Sequence, residues 1–172
     1  AGLSRGDRVA LLAFAGDVVA YGPAADGRGH LRRLAQAVSD VDCVAEEADY
    51  GEVASFLIAR HKRRAMVCIL TDVLDEPSVR GLATAVARLR GRHLPVVLAL
   101  GDPALSRLAR SSSTTANAEL PLSEAASRLL EHRRKGLAAL KAAGAVVVDA
   151  PAPKAAALAV ETYAQLKAAG RL

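Results

Sequence analysis

Carboxylate side chains follow two of the most apolar stretches of this chain, where they could bind a metal ion. Thr71 and Asp72 end the apolar run that begins at Met66, Asp75 lies just beyond it, and Asp102 follows a second apolar run. In sheets of parallel strands, ligands bind outside the carboxyl ends of the strands. Because carboxylate and hydroxyl oxygens suit a hard cation, this set predicts a Mg²⁺ site with Asp72 as its main ligand.

Two weaker candidates could add to the same site. Thr71 would supply a hydroxyl, and Asp49 ends an acidic connector that we expect near the same edge of the sheet. Asp75 and Asp102 are the residues that we expect to contact a partner. A simpler role stays open for Asp72, because an Asp after a strand often only caps the next turn or helix.

The sequence contains little that would support catalysis. It has no glycine-rich phosphate loop of the GxGxxG or GxxxxGK type and no GxSxG segment that would expose a nucleophilic serine. Four histidines are scattered without metal-ligand spacing, and we interpret them as structural or solvated: His30, His61, His93 and His132. We therefore expect a non-enzymatic protein. The alternative is a small α/β hydrolase that uses the strand-end carboxylates Asp72 and Asp102.

Alternating apolar strands and amphipathic helices must position these residues, and they predict an α/β fold. Strands are expected at 9–14, 18–21, 66–72, 94–100 and 145–148, and helices from 28, from 50, from 76 to 90, and at 104–110, 122–143 and 154–169. The sheet should be doubly wound and mostly parallel, with helices on both faces. The apolar strand that begins at Met66 is expected at its centre, buried on both faces.

Helical spacing predicts which faces of two helices point inward. In the helix that begins at Arg28, Leu31, Leu34, Val38 and Val41 form the apolar stripe, which leaves His30 solvated. In the long helix, the inward residues are predicted to be Leu122, Ala126, Leu129, Leu130, Leu137 and Leu140. Asp49 is expected to cap the helix from residue 50, with Glu52 completing a capping-box pattern.

Composition restricts the class of protein. The chain has 172 residues, of which 52% are hydrophobic and 3% aromatic, which suits a single domain over 1–172 with an aliphatic core. Two cysteines form neither a disulfide framework nor a zinc site, which favours a reducing, cytoplasmic setting. No apolar stretch approaches the length of about 20 residues that spans a bilayer.

The net charge of +5 does not by itself indicate nucleic-acid binding. One basic run, Lys62-Arg63-Arg64, falls at a helix C-terminus, where the helix dipole favours cations. The second group lies on the long helix: Arg128, Arg133, Arg134 and Lys135. Because few aromatic residues are available to stack on bases, we predict a solvated, protein-binding face and no nucleic-acid partner.

Five short motifs in order resemble one bacterial family. The chain is similar to von Willebrand factor A-like domains of the domain-of-unknown-function 58 family, often encoded beside MoxR-type AAA+ ATPases. The motifs are Arg5-Gly6-Asp7-Arg8-Val9, Gly29-His30-Leu31-Arg32-Arg33-Leu34, Ala48-Asp49-Tyr50, Leu70-Thr71-Asp72 and Gly170-Arg171-Leu172. This resemblance implies a protein-interaction module that works with such an ATPase in the assembly or maturation of other proteins.

The resemblance also implies a metal-ion-dependent adhesion site in which Asp72 is the Asp after the fourth strand. Ala48 and Asp49 fall where the family has a Thr or Ser ligand. The Asp-x-Ser-x-Ser segment after the family's first strand has no counterpart, so the chain corresponds to a domain without its first strand. We therefore expect Mg²⁺ in a longer protein, which in some relatives carries a membrane anchor, and an incomplete site in this chain.

The missing strand leads to a prediction about pairing. It would lie between the opening hairpin and the Met66 strand, and soluble proteins avoid leaving such edges unpaired. We expect either direct pairing of the Val9 strand with the Met66 strand or strand exchange in a homodimer.

Overall fold

The computed structural model describes residues 2–42, 46–72, 76–110 and 120–172, which contain five strands and six α-helices. They divide into two units, Ala1–Leu57 and Ile58–Leu172; the prediction of one domain stays a prediction. The elements are β1 (Val9–Phe14), β2 (Val18–Ala25), α1 (Arg28–Ser39), α2 (Tyr50–Arg60), β3 (Met66–Thr71), α3 (Glu76–Leu89), β4 (Leu94–Gly101), α4 (Pro103–Arg110), α5 (Leu120–Ala143), β5 (Val146–Pro151) and α6 (Ala155–Ala168).

In the first unit, β1 and β2 form an antiparallel hairpin. β2 is longer than the predicted 18–21, because it continues through Gly22 and Pro23 to Ala25. Pro23 has no N–H to donate, and it is tolerated because β2 pairs on one side with β1 alone. Gly22 allows α1 to approach closely, since a Cβ at this position would lie 2.8 Å from the Leu34 Cδ2 atom.

The predicted inward face of α1 is confirmed for Leu34 and wrong for Leu31 and Val38. His30 is buried, with 4% of its surface exposed, whereas Leu31 is 57% exposed and Val38 is exposed to the same extent. The reason is a hydrogen bond that the apolar pattern does not encode: the His30 Nε2 atom lies 2.7 Å from the carbonyl oxygen of Val9. The helix therefore turns His30 and Leu34 toward the hairpin.

The predicted cap of α2 is confirmed. The Glu52 amide donates to the Asp49 carboxylate at 2.9 Å, which satisfies one of the free N–H groups of the first turn. The Asp49 amide donates to the carbonyl of Ala15, so the reciprocal half of a capping box is not formed. Tyr50 packs edge-on against Phe14 with ring centroids 5.6 Å apart.

In the second unit, three parallel strands pair in the order β3-β4-β5, and the predicted α/β class is confirmed. The predicted central position of β3 is wrong. The centre is β4, where every residue from Leu94 to Ala99 is buried, whereas Leu70 in β3 is 62% exposed. An apolar run predicts a strand, but it does not determine which strand is flanked on both sides.

Helices cover both faces of β4. Leu94, Val96 and Leu98 pack on the α6 side, where they meet Leu166 and Ala155. Because side chains alternate along a strand, Val97 and Ala99 point to the opposite face, where α3 contacts β4 and packs against α5. In α5, Ala126, Leu137 and Leu140 are buried as predicted, whereas the predicted inward positions of Leu122 and Leu129 are wrong, because both are exposed.

Among the described residues of each unit, β1 pairs with β2, and β3 pairs with β4. The direct pairing of the Val9 strand with the Met66 strand stays a prediction. Strand exchange in a homodimer stays a prediction. Within those same residues, no helix is both long and apolar enough to cross a membrane.

Candidate functional site

The carboxyl ends of the three parallel strands bring several of the predicted residues to one edge. Thr71 is in register with Ala99, and Ala99 is in register with Asp149. Asp72 directly follows β3, and Asp102 directly follows β4. We call Thr71, Asp72, Gly101, Asp102 and Asp149 the carboxyl edge. Its three carboxylate residues are all exposed.

Asp149 joins this edge because of strand alternation. Val148 packs on the α6 side of the sheet, so Asp149 points to the opposite face, toward α5. Its side chain remains 58% exposed. The sequence pattern predicts that the last strand ends at Val148, whereas the strand in the structure extends through Pro151, which makes Asp149 part of the sheet.

The residue that organises the carboxyl edge is Arg133 of α5. Its side chain is only 6% exposed, and its Nη2 atom donates to the Asp149 carboxylate at 2.8 Å. Its Nη1 atom donates to the carbonyl oxygen of Asp72. The guanidinium thus connects the ends of β3 and β5 and passes close to Gly101 of β4, where a Cβ would lie 3.7 Å from Nη2.

The predicted solvated position of Arg133 is therefore wrong, and the sequence contained a signal for it. Ala126, Leu130, Arg133, Leu137 and Leu140 follow one another at steps of four and three residues, so the arginine falls within the buried stripe of α5. A charge within such a stripe is rarely buried unless it is paired. The pairing partner here is a carboxylate from a distant strand, which helical spacing alone does not identify.

The remaining predicted site residues are Asp102, Asp49, Thr71 and Asp75. Asp102 uses a carboxylate oxygen to accept a hydrogen bond from the Ala104 amide at 2.7 Å, as a cap of α4. Asp49 belongs to the first unit, and its carboxylate caps α2. Thr71 is half-buried. Asp75 lies outside the described residues, so its role stays a prediction.

The predicted ligands of Mg²⁺ are Asp72, Thr71 and Asp49. Within 2–42, 46–72, 76–110 and 120–172, no group of three or more His, Cys, Asp or Glu side chains is arranged to hold a metal ion. Asp72 offers one exposed carboxylate, and a stable site for Mg²⁺ would need further oxygen ligands. The assignment of Mg²⁺ to Asp72 stays a prediction, and we derive no step through a metal.

Comparison with known proteins identifies the chain at the level of a family. A family described as "Protein of unknown function DUF58" matches residues 2–120, a range that includes Asp72 and Asp102 and ends before Arg133 and Asp149. No curated protein and no solved structure is significantly similar to the chain.

Proposed function

Because this chain belongs to the DUF58 family, we propose that it is a non-enzymatic protein-interaction module whose carboxyl edge binds the partner. One observation carries the proposal: at Asp72 the main chain is held by Arg133 while the side chain is exposed. A carboxylate on a fixed main chain loses less conformational freedom on binding than one on a mobile loop.

The chemistry of the partner follows from that of the edge. Asp72, Asp102 and Asp149 are exposed carboxylates, and two of them already accept hydrogen bonds within the chain. Among the described residues Asp72 is thus the carboxylate of this edge with the greatest capacity to accept a charged donor. We expect a Lys or Arg of the partner to donate to it, since hydrogen bonds with an ionised donor and acceptor are the stronger ones.

We also propose that the chain has a von Willebrand factor A-like architecture and that its partner is an ATPase. The order of motifs that resembles von Willebrand factor A-like domains supports that architecture, and the family match supports the DUF58 part of the resemblance. We propose a MoxR-type AAA+ ATPase as the partner, on the strength of this resemblance. Whether Mg²⁺ contributes a contact between the two proteins is an outcome of the test below.

The test is a calorimetric titration of the chain with a purified MoxR-type AAA+ ATPase. Asp72→Ala should weaken binding about tenfold or more, because it removes a charged hydrogen bond. Glu161→Ala is the matched control, since Glu161 is an exposed carboxylate of α6 in the same unit and should bind as the natural chain does. Equal affinity of all three proteins would contradict the proposal.

Repeating the titration with Mg²⁺ and with a chelator shows whether Asp72 contacts the partner directly or through a metal ion. Unchanged binding in the chelator indicates direct contact of Asp72 with a cationic side chain. Binding that requires Mg²⁺ and is lost in Asp72→Ala indicates that a metal ion joins the carboxylate to the partner.

A further inference from the structure

The edge of the parallel sheet opposite to the carboxyl edge is lined with cations and contains no acidic side chain. Four segments meet there: 61–65 before β3, 90–93 before β4, 144–145 before β5, and 169–172 after α6. None of them contains Asp or Glu. We call the six exposed cations of these segments the basic edge; they are Lys62, Arg63, Arg64, Arg90, Arg92 and Arg171.

Hydrogen bonds show that the segments of the basic edge are neighbours. Arg90 donates to the carbonyl of Ala143 at 3.4 Å, which connects the end of α3 to the end of α5. Arg64 donates to the carbonyl of Arg171 at 3.4 Å. The Arg90 side chain also lies against Gly144, where a Cβ would come within 2.5 Å of its Cδ atom.

Helix dipoles explain only part of this charge. The helices run antiparallel to the strands, so their C-termini point to this edge, and one cation at each end offsets the partial negative charge. Arg64 and Arg90, which donate to carbonyl groups, fit this role. Within the described part of the chain, Lys62 and Arg63 make no hydrogen bond or ion pair, so stabilisation of the fold does not account for them.

A buried histidine beneath the edge responds to the same charges. His93 is 2% exposed, and neither of its ring nitrogens has a hydrogen-bond partner among the described residues. Burial lowers the pKa of His93, and the positive charges of His61, Arg92 and Arg64 lower it further. A negative charge brought to this edge would offset those positive charges, so His93 reports on binding there.

We infer that the basic edge is a second interaction surface, which binds an acidic segment of a protein, rich in Asp and Glu, independently of the carboxyl edge. Guanidinium groups form paired hydrogen bonds with carboxylates, and five of the six cations are arginines. A nucleic acid is a poorer fit. The four segments contain no Phe, Tyr or Trp on which a base would stack, and the edge presents helix C-termini, whereas phosphates bind at helix N-termini.

Fluorescence anisotropy with a labelled peptide of alternating Glu and Ser tests this inference. The chain should bind it, and a peptide with Gln in place of Glu should not bind. Charge reversal by Lys62→Glu with Arg63→Glu should weaken binding about tenfold or more. The matched control is Arg134→Glu with Lys154→Glu, which changes the net charge equally at exposed positions elsewhere on the same unit and should have a much smaller effect.

Three results would overturn the inference. One is equal weakening by both charge reversals, which would indicate attraction by net charge alone. Another is tighter binding of duplex DNA than of the peptide at the same salt concentration, which would favour a nucleic acid. The third is equally tight binding of the Gln peptide and the Glu peptide, because the inference requires recognition of carboxylates. Asp72→Ala should leave peptide binding intact, which keeps this test separate from that of the carboxyl edge.

Discussion

Removing the Asp149 carboxylate should destabilise the second unit, and it should do so only while Arg133 is present. Asp149→Ala leaves a guanidinium that is 6% exposed without its counter-ion. Breaking a fully buried pair in this way costs about 3–5 kcal/mol. Asp149 is itself more than half exposed, and in the variant Arg133 keeps its hydrogen bond to the carbonyl oxygen of Asp72. The expected loss is therefore nearer to one charge-assisted hydrogen bond, about 2 kcal/mol.

In the Arg133→Met background, Asp149→Ala should no longer lower the free energy of unfolding. Methionine fills the buried space without a charge, and replacement of a buried ion pair by apolar residues is often neutral or stabilising. The carboxylate left behind at Asp149 is exposed to water, so its removal in that background should change the free energy of unfolding by less than about 0.5 kcal/mol. The double-mutant cycle should thus give a coupling energy of about 2 kcal/mol between the two side chains.

Urea denaturation followed by circular dichroism gives the four free energies of unfolding. Amide hydrogen exchange in β5 assigns the loss to the Ile58–Leu172 unit. An equal cost of Asp149→Ala in both backgrounds would refute the reasoning, since it would mean that the carboxylate acts through something other than Arg133. Full stability of the single Asp149→Ala variant would refute it as well.

Three further predictions concern local features. Gly22→Ala should change the free energy of unfolding by less than about 1 kcal/mol in urea denaturation, because its Cβ would meet only the Cδ2 end of the flexible Leu34 side chain, which can shift, and a clearly larger loss would contradict this flexibility. Asp49→Ala should cost about 1 kcal/mol through loss of the α2 cap, measured likewise, with Asp49→Asn retaining most of the stability; equal losses would argue against a capping role. The His93 pKa is lowered in the folded chain, so the unfolded chain binds the proton more readily. Stability should then fall as the pH decreases through 6.5, the ordinary pKa of histidine, toward the lower pKa of the folded chain. His93→Gln should reduce this dependence in pH-resolved urea denaturation, and an identical pH profile would contradict the assignment.

Local patterns were sufficient to predict most individual elements. Apolar runs at β1, β3 and β4 gave strands where strands are present, and the cap at Asp49 was visible from the residue types alone. The α/β class followed from the alternation of strands and helices.

The same local patterns could not predict strand order or contacts between residues that are distant in the sequence. An apolar strand at the edge of a sheet can have the same sequence pattern as one at the centre, so the predicted central position of β3 was wrong. In α1 His30 is buried and Leu31 is exposed, which the apolar spacing did not predict, because the deciding hydrogen bond joins residues that are distant in the sequence. Arg133 lay within a recognisable stripe, but its partners Asp72 and Asp149 come from two different strands.

The central claim is that the partner binds at the carboxyl edge. NMR of the isotopically labelled chain, titrated with the MoxR-type ATPase, tests it most directly because each backbone amide reports on its own surroundings. We predict that the amides of Asp72, Gly101 and Asp149 shift or broaden early in the titration, and that Asp72→Ala removes these changes. An ATPase that binds without perturbing these amides, or perturbs them equally in Asp72→Ala, would contradict the claim.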